Sequence, residues 1–182
     1  MNNSYKGKIL ISTPDISGDI FSRSVVLIIE HNESGAFGLI LNKKNNFLSK
    51  RFNKIIQNDI EVYEGGPVSQ DKIFFIIHGE KSTSVNAVIN DDYYLTDNME
   101  EVIELVVKQE LNTKDIKIFS GYSGWSPQQL ENEINNKMWT VIDVINLNYT
   151  ESNDQNLWKK IMQGLGGEFL LWANAPDDVS LN

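Results

Sequence analysis

Short apolar runs recur along the chain and predict strands. These runs occupy residues 8–12, 24–32, 38–43, 61–64, 72–78, 115–122 and 138–145. The run over residues 24–32 is rich in β-branched residues and too continuous to alternate, which predicts a strand buried on both faces. The second and third runs flank Asn32-Glu-Ser-Gly35, whose composition is typical of a turn. Together they predict a β-hairpin with a glycine-containing loop.

Apolar residues at helical spacing predict helices between and after these strands. A short helix is expected over residues 46–58, and a longer one over residues 98–111. In the longer helix Asp97 is the expected N-cap, with Glu100 reaching back to it. Its apolar face comprises Met99, Val102, Ile103, Val106, Val107 and Leu111.

Two further helices are expected in the second half of the chain. One begins with Ser126 as the N-cap, Pro127 at the first position and Gln129 where a capping box places Glu or Gln. The other covers residues 154–163 and ends at the glycines near residue 166. Strands come first and then mix with helices, which predicts an α+β domain and not a regularly wound parallel sheet.

Length and composition favour one domain over residues 1–182. The chain has 182 residues, 41% of them apolar, and no linker or low-complexity tract divides it. It contains no cysteine, which excludes disulfides, thiolate metal sites and thiol catalysis. The apolar runs are too short to span a bilayer, and the first residues lack the order of a signal peptide. We therefore expect a cytoplasmic protein without a membrane partner.

The charge balance argues against direct binding of nucleic acid. The formal net charge is −9, whereas phosphate backbones are bound through clustered lysine and arginine. The densest basic group consists of Lys43, Lys44, Lys50, Arg51 and Lys54. We interpret this group as a solvated face, since the other basic residues are scattered.

Candidate binding residues concentrate in loops around residues 32–36, 65–67 and 121–125. Glycines there can expose backbone N–H groups to a ligand, and aromatic side chains can form a binding wall. The candidates are His31, Asn32, Gly35, Asn42, Gly65, Gly66, Pro67, His78, Gly121, Tyr122, Gly124, Trp125 and Gln129. Each also has a structural explanation, as a tight turn, a packed aromatic ring or a side-chain cap.

The same loops carry a resemblance that extends over nearly the whole chain. Three segments resemble the signature blocks of the AlgH/YqgE-like family. They are Glu30-His-Asn-Glu-Ser-Gly-Ala-Phe-Gly-Leu-Ile-Leu-Asn42, Val62-Tyr-Glu-Gly-Gly-Pro-Val68 and Gly121-Tyr-Ser-Gly-Trp-Ser-Pro-Gln-Gln-Leu130. The segments 9–14, 21–25 and 176–182 extend the match. The chain departs from the family at Lys43-Lys44, where a basic residue is usually followed by proline.

This resemblance implies an α+β domain whose bifurcated sheet closes into a pseudo-barrel. It carries over no catalytic residues. The family's label as a regulator of alginate synthesis does not imply direct contact with DNA. Neither a cofactor nor a metal is predicted.

Only two histidines are available for acid–base or metal chemistry. His31 and His78 can act with carboxylates such as Glu30 or Asp71, but they lie 47 positions apart, without the spacing of a zinc motif. A structural role for each, bonded to backbone at a strand end, is the alternative. Ser123 does not fit a nucleophile elbow, because the following glycine comes one position early.

Two hypotheses from different classes follow. The preferred one is a non-enzymatic binding or adaptor domain whose three loops meet on one surface and engage a protein or a small ligand. The alternative is an enzyme with an unfamiliar site that uses His31 or His78. A transcriptional regulator that contacts DNA directly is the least favoured, since the helix predicted over residues 98–111 carries one lysine against four glutamates.

Overall fold

Nine strands form one sheet in residues 4–16, 19–56, 59–143 and 146–176, which the computed structural model describes. The strands are β1 Ile9–Ser12, β2 Val25–Asn32, β3 Gly35–Ile40, β4 Val62–Glu64, β5 Val68–His78, β6 Ala87–Val88, β7 Tyr93–Thr96, β8 Ile116–Trp125 and β9 Trp139–Ile142. Their order is β6-β7-β5-β8-β3-β2-β1-β9, with β4 also beside β8. All pairs are antiparallel except β4 with β8, which confirms the mixed sheet.

Five helices accompany the sheet within these residues. They are α1 Asn46–Ile56, α2 Met99–Val107, α3 Gln129–Asn135, α4 Asn156–Leu165 and α5 Phe169–Asn174, and a 3-10 turn covers Thr113–Asp115. Over the described ranges, each helix is too short or too polar to cross a membrane. The chain is a single α+β domain, as the strand and helix patterns predict.

The sheet forks at β8, its central strand. One edge of β8 pairs with β5. The other edge serves two strands in succession: residues 118–120 pair with β4, and residues 123–125 pair with β3. The far strand β6 comes close to β2, so the sheet curls back on itself. The bifurcated pseudo-barrel that the resemblance implies is therefore present.

A backbone crossing lies at this fork. The link from β4 to β5 passes over β8, where the N–H of Gly65 donates to the carbonyl of Ser120 at 2.9 Å. The carbonyl of Gly65 accepts from an amide of β3 at 2.9 Å and from Ser123 Oγ at 3.0 Å. A Cβ on Gly66 would overlap the β8 backbone. Glycine is needed here because the two backbones approach so closely.

Both faces of the central strands are buried, which the continuous apolar run over residues 24–32 predicts for β2. Ile9 and Ile11 face the main core inside the curl, which includes Trp158 of α4. Leu10, between them, faces a second core that includes Leu130 of α3. A third core, under α2, contains Phe75, Ile77, Tyr94 and Val102. The side chains of alternate residues in one strand therefore pack in different cores.

Several predicted boundaries were wrong. The third strand covers Gly35–Ile40 and not 38–43, because the hairpin pairs down to Gly35 opposite Asn32. The cap of α2 is Asn98, whose Oδ1 accepts from the Glu101 N–H at 3.1 Å, and not Asp97. The helix ends at Val107, four residues early.

Short elements escaped the sequence patterns. Strand β6 has two residues and α5 has six, which is too short to show a period, and the four-residue strand β7 was also missed. The predicted start of α3 was also wrong: the helix begins at Gln129 after Gln128, whose φ is 65°, so Ser126 is not its N-cap and Pro127 is not its first residue. The Ser126 N–H nevertheless donates to Gln129 Oε1 at 3.0 Å. The ends predicted at residues 57–58 and 144–145, and the segment 177–182 of the resemblance, lie outside the described residues.

Substitution of Gly121 tests the crossing. Its φ of 68° disfavours any residue with a side chain, and a Cβ would lie 2.6 Å from the Gly66 carbonyl oxygen. We expect Gly121→Ala to lower the free energy of unfolding by more than about 2 kcal/mol in urea denaturation.

Gly164→Ala is the matched control. Gly164 lies in α4, where an added Cβ meets no other group. Alanine there should leave stability unchanged or raise it by up to about 1 kcal/mol. Equal stabilities for the two variants would show that the crossing tolerates a side chain.

Candidate functional site

The three predicted loops lie side by side around the fork. Ala36 pairs with Trp125, and a Cβ on Gly35 would overlap the Trp125 carbonyl oxygen. The Gly65–Pro67 loop crosses β8 beside Gly121. These contacts are between backbone atoms. The loops can pack this closely because the glycines have no side chain that would separate them.

Trp125 is a packed ring in the second core. It is 6% exposed, and its ring centroid lies 6.1 Å from that of Trp139. The indole N–H groups of both tryptophans donate to Glu133 Oε2 at 2.8 Å. Gln129 donates to the other oxygen of Glu133 at 2.9 Å. Among the two roles weighed for Trp125, the geometry matches core packing.

The two asparagines bond to the chain around them. Asn42 is buried, accepts the Val25 N–H at 2.9 Å and donates to the Arg23 carbonyl at 3.0 Å. Asn32 Oδ1 accepts the Ser34 N–H at 2.8 Å in the hairpin turn. Both side chains satisfy backbone groups, which is the structural role considered for them.

Tyr122 packs beside the fork, while two neighbours stay exposed. The Tyr122 ring stacks on Phe37, with centroids 4.8 Å apart. Pro67 and Gly124 are exposed next to it. Asn32, Glu33 and Ser34 of the hairpin loop are also exposed, so these positions leave surface open to a partner.

His31 is held between a backbone amide and a carboxylate. Its Nδ1 accepts the Tyr5 N–H at 3.0 Å, and its Nε2 lies 2.9 Å from Glu131 Oε1. Because Nδ1 is an acceptor, the proton of the neutral ring is on Nε2 and is donated to Glu131. With both nitrogens engaged, His31 has no free lone pair for a substrate proton.

His78 lies at a different place, at the end of β5. It is about half exposed, its Nδ1 lies 3.3 Å from Asp115 Oδ1, and its ring packs on Tyr93. Each histidine therefore meets its own carboxylate. In the described ranges of the chain, no group of three or more His, Asp or Glu side chains is arranged to hold a metal ion.

A cleft of about 680 Å³ lies elsewhere, between α2, the start of β8 and the segment 150–152. Its walls are mainly apolar: Phe52, Ile60, Phe75, Met99, Val102, Ile103, Val106, Val107, Ile116 and Ile118. Neither histidine lines it. The cleft follows from the fork, because β4 begins at Val62 opposite Ile118 and leaves the earlier residues of that β8 edge unpaired.

Lys117 lies at this unpaired edge and lines the cleft. The residue is only 2% exposed. Its Nζ donates to the Glu151 carbonyl at 2.9 Å and lies 4.0 Å from the centroid of the Tyr63 ring. Burial lowers the pKa of Lys117 to about 7, although the charges of Glu61 and Glu151 favour its protonated form. At neutral pH a substantial fraction of this amine is uncharged.

Glu61 organises a hydrogen-bonded group beside Lys117. Its carboxylate pairs with Lys44 and accepts from Ser152 Oγ at 2.6 Å and from the Tyr63 hydroxyl at 2.9 Å. Burial opposes its charge, but these hydrogen bonds together keep the pKa of Glu61 below its usual value. Lys44, at the point where the chain departs from the resemblance, is thus part of this group.

The sequence profile described as AlgH-like matches residues 9–170. The chain belongs to the AlgH-like family. A UPF0301 protein of Cytophaga hutchinsonii is 35% identical, with 97% of this chain and 98% of the relative aligned. A UPF0301 protein of Chlamydia muridarum is 31% identical, with coverages of 97% and 95%.

Two solved structures share this AlgH-like fold. The solution structure of the AlgH protein from Pseudomonas aeruginosa has a TM-score of 0.72 at 24% identity, and covers 97% of both chains. A crystal structure of a protein from Corynebacterium diphtheriae has a TM-score of 0.73 at 21% identity, over 96% of this chain and 94% of the other. At such identities the likeness supports the fold alone.

Sequence reasoning missed Lys117, although one signal was present. The predicted strand 115–122 contains a single lysine between two isoleucines, in Ile116-Lys-Ile118. A lysine between apolar residues of a core strand can lie in an apolar setting, which favours an uncharged amine. The cleft around it is formed by segments distant in sequence, and no local pattern reveals them.

The pH dependence of stability tests the environment of Lys117. With a folded pKa of about 7 and an unfolded value of 10.5, the unfolded chain binds more protons at this site between those pH values. Stability from this group therefore rises with pH across that window. From pH 6.5 to pH 10, urea unfolding should show the wild type gaining roughly 4 kcal/mol relative to Lys117→Met.

Lys114→Met supplies the control for this prediction. Lys114 also lines the cleft but is exposed, so its loss should leave the pH profile close to that of the wild type. A difference between wild type and Lys117→Met that stays constant over pH 6.5–10 would rule out the lowered pKa.

Proposed function

We propose that this AlgH-like protein is a non-enzymatic binding domain that holds a small, largely apolar molecule in the cleft beside α2. The observation that carries the proposal is the combination of an open apolar cleft with one buried amine at its floor. Ligand sites are typically concave and mostly apolar, with a few convergent polar groups. Their volumes are roughly 300–1,000 Å³, a range that includes this cleft.

The exposed part of α2 supports this location. Ile103 is 51% exposed and Val107 is 75% exposed, and both line the cleft. The apolar face of α2 is therefore only partly covered, at Val102, by the rest of the domain. A ligand with an apolar body would bury the remainder, at about 25 cal/mol for each Å² removed from water.

The polar end of the ligand would meet Lys117. Thr113 and Thr150 also line the cleft and carry hydroxyl groups, of which that of Thr150 already donates to Asn148 Oδ1 at 3.0 Å. Such groups fix the orientation of a ligand whose affinity comes mainly from apolar burial.

This proposal moves binding away from the three loops. Most candidate residues there already bond to or pack on their own chain, which leaves few groups to recognise a ligand. Pro67 and Gly124 remain as a predicted contact for a protein partner. We further propose a cytoplasmic location. We also propose that any regulatory role follows from occupancy of the cleft, because a net charge of −9 argues against direct contact with DNA.

A cleft-filling variant tests the proposal. Val106 lines the cleft, so the larger side chain of Val106→Trp should fill it. The control is Glu104→Trp, which adds the same ring to α2 at an exposed position outside the cleft. The measurement is fluorescence titration with N-phenyl-1-naphthylamine, a neutral apolar probe. We expect binding to wild type and Glu104→Trp, and at least tenfold weaker binding to Val106→Trp.

Two results would overturn the proposal. One is no saturable binding of the probe to the wild type. The other is equal affinity for the wild type and Val106→Trp, provided that circular dichroism shows both variants folded.

A further inference from the structure

We infer that the molecule held in the cleft is a carbonyl compound, an aldehyde or ketone with an apolar body, and that Lys117 captures it as a reversible imine. This inference rests on the proposed function, since it names the chemical class of the same ligand. It adds to the binding proposal a covalent step at one identified atom, Lys117 Nζ.

The contacts of Lys117 engage only part of the hydrogen-bonding capacity of its amine. A lysine ammonium has three N–H donors. Within the residues that the structure describes, its one hydrogen-bond acceptor is the Glu151 carbonyl, and no carboxylate lies within ion-pair distance of it. The Tyr63 ring face covers another side of Nζ. A lysine held in this way in the wall of an open cleft is placed to react and not to stabilise the fold through an ion pair.

The charges around the cleft favour a neutral head group over an acidic one. Three acidic residues line it, Asp59, Glu61 and Glu151, against Lys114 and Lys117. Lys44 lies nearby but is paired with Glu61. With that pair neutralised, Asp59 and Glu151 balance Lys114 and Lys117, so the cleft offers no excess of positive charge to hold a carboxylate or phosphate. A carbonyl oxygen carries no net charge and needs no such excess. The amine can then be engaged by the carbonyl carbon.

The protonation state of Lys117 agrees with this role. With its pKa near 7, about half of the amine is neutral at pH 7, whereas an ordinary lysine is neutral in roughly one molecule in 3,000. Only the neutral amine is a nucleophile, and desolvation in an apolar setting is a known means of activating a lysine for imine formation.

The step is a condensation without any change of oxidation state. The nitrogen lone pair attacks the carbonyl carbon, and the carbonyl oxygen takes up one of the two amine protons to give a carbinolamine. The carbon–oxygen bond then breaks, and the oxygen leaves as water together with the second amine proton. A C=N bond to Lys117 remains, and addition of water reverses the reaction.

Reductive trapping tests the inference. The intact protein at pH 7 is mixed with one equivalent of octanal and with sodium cyanoborohydride, which reduces the imine to a stable secondary amine. Mass spectrometry with peptide mapping should show one octyl group, located on Lys117 at a level at least tenfold above any other lysine. Lys117→Arg, which keeps a cation but lacks the nucleophile, should lose this adduct, while Lys160→Met, at an exposed position of α4 that does not line the cleft, should keep it.

Binding of 1-octanol separates failure of the inference from failure of the proposed function. This alcohol has the same chain but cannot form an imine, and its contact with the α2 methyl groups is measured by NMR shifts. If octanol binds but octanal labels Lys117 no more than other lysines, the imine is wrong and the binding site stands. If neither molecule occupies the cleft, both proposals fall.

Discussion

The fold depends on one close approach between two backbones, where the link from β4 to β5 crosses β8. Gly65 and Gly66 lie against Gly121 with no room for a Cβ on either side. This contact allows one edge of β8 to pair first with β4 and then with β3. Without it the sheet could not fork, and the three loops that carry the family resemblance would not meet.

The fork also explains the cleft. Since β4 joins β8 only from Ile118 onward, the edge at Lys117 has no strand beside it. Side chains from α2, Tyr63 and the segment 150–152 enclose that edge incompletely and leave an open, mostly apolar space. The structural glycines and the buried amine are therefore two consequences of one topology, although they lie in different parts of the domain.

How far the sequence predicts this protein depends on how local each feature is. The hairpin of β2 and β3 and the helix α2 follow from periods and turn residues within single segments. The signature blocks point to the fork because their glycines are required by close packing. Lys117 could not be assigned a role in this way: its burial depends on Tyr63 and Glu151, each more than 30 positions away in sequence. A side chain's environment of that kind is set by tertiary packing.

The central claim is that the cleft holds a small organic ligand. Native mass spectrometry of the protein, purified gently from its own host, tests this most directly. We predict a co-purifying small-molecule mass on the wild type that is absent from Val106→Trp and present on Glu104→Trp. A wild-type chain that is bare, or that carries only another protein, would contradict the account.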